Sequence, residues 1–178
     1  MIPMVDLQAQ YASIKLEIDE AVANVLATGR FALGPEVARF EQEFAEYSNT
    51  SHGVAVNSGT SALHLSLLAA GVGPGDEVIT VPFTFIATVA AIRYVGATPV
   101  FVDSGKADFA MDPEHAASLV TERTRVIMPV DPLGQPANHA SLEVLAAGAG
   151  AHLIVDAACS LGASRGGREC GGHGDMGC

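Results

Sequence analysis

The stretch "DEVITVPFTFIATVAAIRYVGATPVFVD", residues 76–103, reads as strand, helix and strand in immediate succession. Residues 76–81 form a short apolar run rich in β-branched side chains, too short for a helix. Residues 85–96 have helical length and end on Gly96, a stop signal. Residues 98–102 are apolar again, with no polar alternation. Strands that are apolar on both faces and separated by helices belong to a parallel sheet covered on both sides.

The same rhythm extends outward in both directions. Upstream, "GVAVN" (53–57) reads as a strand and "TSALHLSLLAAG" (60–71) as a helix closed by Gly71. Downstream, "DPEHAASLV" (112–120) reads as a helix opened by Asp112 and Pro113, "TRVIMPV" (124–130) as a strand, "NHASLEVLAAGAG" (138–150) as a helix and "AHLIVD" (151–156) as a strand. Before the alternation lie two helices. In the first, about residues 7–28, Leu7, Tyr11, Ile14, Ile18, Val22 and Val25 recur three or four apart. "GRFALG" breaks the pattern, and the second helix opens with Pro35. The expectation is an α/β protein with a mostly parallel sheet and helices on both faces. Residues 1–34 are expected to form an N-terminal helical segment and 35–178 part of a large domain. The closing "GGHGDMGC" has no helix stop or polar tail and reads as a truncation.

Bulk composition narrows the partners. Hydrophobic residues make up 49% of the 178, which fits a globular core. The formal net charge is −11, and the only lysines are Lys15 and Lys106. Without a basic stripe, neither nucleic acid nor an anionic membrane is an expected partner. The three cysteines, Cys159, Cys170 and Cys178, have no CxxC spacing and are odd in number. With no signal-peptide pattern at the start, a reducing cytoplasm is the expected location.

Ligands of such sheets bind where the strands end at their carboxyl side. Three sites there bear on chemistry. "NSGTSAL" puts Ser58, Gly59, Thr60 and Ser61 at a strand-to-helix turn, where free N–H groups and the helix dipole favour an anion; a plain N-cap by Ser58 or Thr60 fits the same residues. "PFTF" puts Phe83 and Phe85 at the next strand end, as core or as a plate for a planar ligand. Asp156 closes an otherwise apolar strand in "LIVDAACSLGA" (153–163), as a turn cap or as the partner of a cation. A phosphate cradle, an aromatic plate and one buried carboxylate together suit pyridoxal 5'-phosphate, whose ring nitrogen works best protonated.

The chain resembles the DegT/DnrJ/EryC1/StrS aminotransferases, a sugar-aminotransferase branch of fold-type I pyridoxal phosphate enzymes. "VDLQAQY", "GRFALGPEVARFEQEFAEY", "VAVNSGTSALHLSLLAAGVGPGDEVITVPFTFIATVAAIRYVGATPVFVD", "GQPA", "DAA" and "GDMGC" carry the likeness along the whole chain. The resemblance implies that Ser58, Gly59, Thr60 and Ser61 meet the cofactor phosphate, Phe85 stacks on the ring and Asp156 holds its nitrogen. It implies a homodimer moving an amino group, usually from glutamate, to a keto group of a nucleotide-linked sugar. Such sugars serve cell-surface polysaccharide or antibiotic biosynthesis. The family's Schiff-base lysine lies beyond "GDMGC", so the likeness covers roughly the first half of a full-length enzyme.

Departures from the family wording cluster around the ring. Cys159, a further ring neighbour, stands where the family usually has glutamine. Leu161 stands where it often has histidine, and Asp131, Pro132 and Leu133 replace histidine, a hydrophobic residue and tyrosine. A deoxysugar dehydratase with histidine in place of the lysine, and a non-catalytic binding or assembly subunit, are the competing readings. Lys15 and Lys106 are expected to be solvated and His64 packed in the core. No histidine–cysteine spacing fits a standard metal site, His173 with Cys170 and Cys178 included.

Overall fold

A computed structural model describes residues 4–178 of the chain. The apolar run after Asp76 becomes β1 (Glu77–Thr80), buried at all four positions. Helix α4 (Ile86–Tyr94) follows, and the chain leaves it through Gly96 at φ +82°. A Cβ there would also come within 2.9 Å of Pro74 Cγ, so both conformation and space call for glycine. β2 (Thr98–Phe101) then runs parallel to β1, with Ile79 opposite Val100.

β3 (Thr124–Met128) lies on the other flank of β1, with Ile79 opposite Ile127, and β4 (His152–Val155) lies beside β3. A two-residue strand, β7 (Met176–Gly177), pairs with β4 and completes the order β2-β1-β3-β4-β7, parallel throughout. The chain steps from β1 to β2 and then back across to β3. That reversal is the switch point at which open α/β sheets form their ligand crevice, outside the carboxyl ends of β1 and β3.

Side chains alternate between two cores. Val78, Val126, Met128 and Ile154 face Leu63 and Leu67 of α3 (Gly59–Ala69) and Ala91 and Ile92 of α4. Ile79, Ile127, Leu153 and Val155 face Ala116 of α5 (Pro113–Ser118) and Leu142 and Ala146 of α6 (His139–Ala149). Leu67 and Leu142 are fully buried, and truncating either to alanine removes about 2–5 kcal/mol of packing. The doubly covered parallel sheet expected from the sequence is therefore present.

Three features differ from the sequence reading or were absent from it. Residues 53–57 are not a strand: no described strand pairs with them, Val54 is 80% exposed, and Ala55 N donates to Glu41 Oε1 at 2.8 Å in place of a ladder. A hairpin of two-residue strands, β5 (Ser164–Arg165) and β6 (Arg168–Glu169), precedes β7. Helix α1 (Leu7–Thr28) forms where the periodicity puts it, capped by Asp6, yet Leu7, Tyr11, Ile14, Ile18 and Val22 are exposed. Helix α2 (Pro35–Tyr47) follows it. Among the described residues, no helix is long and apolar enough to cross a membrane.

Candidate active site

The carboxyl edge of the sheet collects the residues singled out by the sequence. Pro82–Phe85 follow β1, Asp131 lies three residues past β3, and Asp156 follows β4 directly. Helix α3 leads through a short turn into the amino end of β1, so its own N-terminus lies at this same edge.

Asp156 is 5% exposed. Its Oδ2 accepts a hydrogen bond from Thr88 Oγ1 at 2.6 Å and its Oδ1 accepts one from Ala158 N at 3.3 Å. Burial pushes the carboxyl above its ordinary value, and the nearby Asp131 charge pushes the same way against those two bonds. An ionised carboxylate is therefore costly here without a cation, and a positive group on the ligand would restore the balance. Thr88 is itself fixed by Thr84 Oγ1 at 2.7 Å, which ties the "PFTF" loop to Asp156. On the other side, Ala157 N donates to Cys178 O at 2.7 Å, and the Cys178 thiol meets Ser66 Oγ of α3 at 3.1 Å.

At the start of α3, Ser58 acts as the N-cap, its Oγ accepting from Ser61 N at 3.1 Å and meeting Ser61 Oγ at 3.0 Å. The cap reading thus holds for Ser58. The N–H groups of Gly59 and Thr60 lie in the first turn, outside the helix's own ladder. A Cβ added at Gly59 would meet nothing within 4 Å, so the space before the turn is open. Neither aromatic of "PFTF" is core. Phe85 is 76% exposed beside the α4 N-terminus, while Phe83 packs on Phe109 with centroids 5.7 Å apart. Cys159 and Leu161 are exposed on the turn after Asp156. His64 is partly buried, edge-on to Tyr94.

The sequence reading missed two supports of Asp156. Thr88 is a lone hydroxyl in the apolar helix "FIATVAA", three residues after Phe85, and that was its signal. Asp131, noted in the sequence as a departure from the family wording, is fully buried, with His139 Nε2 at 2.8 Å from its Oδ1. His139 sits at the first turn of α6, in a pattern that looks like an ordinary helix start. Among the described residues no group of three or more His, Cys, Asp or Glu side chains is placed to hold a metal.

Asp131 carries a stability prediction. Burial pushes its carboxyl up, but the bonds from His139 and Ala137 N, with the His139 charge and the Ser160 bond, outweigh it and hold the group below its ordinary 3.8. Asp131→Ala is expected to lose about 3–5 kcal/mol, because it strands one partner of a buried pair. A carboxylate depressed by folding stabilises above its unfolded value, and the contribution goes as pH falls through the folded one. The gap in Tm between wild type and Asp131→Ala should thus be full near neutrality and close below about pH 4.

A family profile, the DegT/DnrJ/EryC1/StrS aminotransferase family, matches residues 12–178. The chain belongs to this aminotransferase family. It is 45% identical over 170 residues to the dTDP-3-amino-3,4,6-trideoxy-alpha-D-glucose transaminase of Streptomyces venezuelae, covering 96% of this chain and 45% of that protein. A DegT DnrJ EryC1 StrS aminotransferase from Brucella abortus superposes with TM-score 0.96 at 37% identity, over 99% of this chain and 49% of the other. Spr1654 of Streptococcus pneumoniae, solved in its PLP form, superposes with TM-score 0.81 at 31% identity, over 88% of this chain and 44% of the other. The chain thus spans about half the length of the relatives it matches, and its sheet is a partial fold-type I aminotransferase domain.

Proposed function

We propose that this chain supplies the cofactor-binding half of a pyridoxal-phosphate-dependent aminotransferase acting on a nucleotide-linked keto sugar, with glutamate as amino donor. The observation that carries the reading is Asp156: a carboxylate 5% exposed, raised by burial, held by one hydroxyl and one amide, and with no cationic partner among the described residues. The pyridine nitrogen of pyridoxal phosphate is the cation that site fits. When bound, the cofactor supplies an electron sink for amino transfer. Asp156 would hold the proton on the ring nitrogen, and Thr88 and Ala158 N fix the orientation of its carboxylate. The amides of Gly59 and Thr60, with the Thr60 and Ser61 hydroxyls, bind the phosphate at the α3 N-terminus. Phe85 and Cys159 border the ring. The assembly is a homodimer, with residues 35–178 as its partial large domain and 1–34 as its helical segment.

Covalent attachment of the cofactor and proton transfer at the substrate carbon need a lysine that this chain does not contain. Lys15 is exposed and paired with Asp19 on α1, and Lys106 is exposed in the loop after β2. Neither is desolvated as a reactive amine must be. The test treats the chain with pyridoxal phosphate, dialyses, reduces with borohydride and maps the label, alongside a fluorescence titration with pyridoxamine phosphate. The expected outcome is saturable pyridoxamine phosphate binding with weak, scattered labelling. Stoichiometric labelling of Lys106 with turnover of a keto sugar and glutamate would show a complete enzyme; absence of saturable binding would remove the cofactor reading.

A further inference from the structure

Asp131 stands at the strand end next to Asp156, and the two are joined by main chain: Asp131 N donates to Asp156 O at 3.0 Å and Asp156 N donates to Pro129 O at 2.9 Å. The Asp131 side chain reaches both flanking segments. Its Oδ1 accepts from Ala137 N at 2.9 Å and from His139 Nε2 at 2.8 Å, which fixes the loop between β3 and α6. Its Oδ2 accepts from Ser160 Oγ at 3.0 Å, which fixes the turn that carries Ala158 N, a donor to Asp156.

Two carboxylates on neighbouring strand ends in a water-poor site repel, and each needs its own donors. Among the described residues, Ala137 N, His139 and Ser160 supply those of Asp131. The Cys170 thiol is pushed up to about 11, by burial first and by the Asp131 charge, and stays neutral. His173 stacks on His139 at 4.2 Å between centroids, and burial, then the His139 charge, hold it below its ordinary value. Glu143 lies 3.7 Å from His173 and is bound by Arg168 at 2.9 Å, so Arg168 already has its anion.

We propose that Asp131 is a positioning residue for Asp156: its carboxylate knots the loop after β3 to the turn after β4, and so sets where Ala158 N meets Asp156. The role rests on the reading of Asp156 as the pyridine-nitrogen partner.

The experiment follows the Asp156 carboxyl ¹³C signal with pH in the 178-residue chain without ligand, the signal being assigned from Asp156→Asn. Asp131→Asn keeps the side chain's shape but removes its charge, and should lower the Asp156 midpoint. An unchanged or raised midpoint would overturn the proposal. Ser160→Ala leaves the Asp131 charge in place and frees the turn, so it decides the matter even where Asp131→Asn does not fold. Hydrogen exchange at Ala158 N–H should then speed up about tenfold; unchanged exchange would overturn the knot. No cofactor is present, so failure here is separate from failure of the cofactor reading, which the pyridoxamine phosphate titration reports.

Discussion

Replacing Asp156 by alanine is expected to lower transamination about 10²–10³-fold, the scale of losing one preorganised electrostatic partner. The setting is a chimera in which residues 1–178 replace the segment they align with in the Streptomyces venezuelae transaminase. The effect falls on kcat, because the carboxylate acts on the ring nitrogen and not on the sugar. The fold should survive. The protein around Asp156 by itself disfavours the ionised carboxyl, by burial first and by the Asp131 charge. A neutral side chain at this position therefore relieves a cost in the apoprotein, and thermal stability without cofactor should hold or rise. Activity within a few-fold of the parent chimera would remove Asp156 from the chemistry.

The second large effect concerns the phosphate. Pyridoxamine lacking its phosphate should bind the chimera at least about 100-fold more weakly than pyridoxamine phosphate. Each charge-assisted bond from the α3 turn is worth about 1.5–3 kcal/mol. Gly59 is the position where this can be tested by shape. Its missing Cβ leaves open space before the first-turn amides, and Gly59→Val should narrow the ratio between the two ligands without lowering stability greatly. Equal affinities for the two ligands would mean that the α3 N-terminus is a capped helix start and nothing more.

The sheet was legible because its strands are short apolar runs and the helices around them open or close on recognisable signals. Gly71 and Gly96 both adopt positive φ where the sequence places helix ends, and Asp112 caps α5 through Glu114 N at 2.9 Å. Asp156 was legible for the converse reason, a single charge in an apolar run. Residues 53–57 misled because a strand is a property of two chains: the composition is right, but no described partner lies alongside. β7 was not legible because two residues, Met176 and Gly177, carry no periodicity; their pairing with Ile154 and Val155 is decided by the sheet edge they meet. The Asp131–His139 pair was hidden for a similar reason. Seven residues separate the partners, and only the fold of the loop "PLGQPAN" brings the imidazole back onto the carboxylate. Phe85 shows the limit of composition as a guide, since an aromatic among apolar neighbours reads as core yet is exposed at the rim of the crevice.

The central claim, that Asp156 holds a protonated pyridine nitrogen, is tested most directly by ¹⁵N NMR of pyridoxamine phosphate labelled at the ring nitrogen and bound to the chimera. With Asp156 in place, the nitrogen is expected to remain protonated at pH values where the free compound has lost that proton, and in Asp156→Asn it should titrate at or below the free compound's midpoint. A bound nitrogen that titrates like the free compound in the parent chimera would contradict the account.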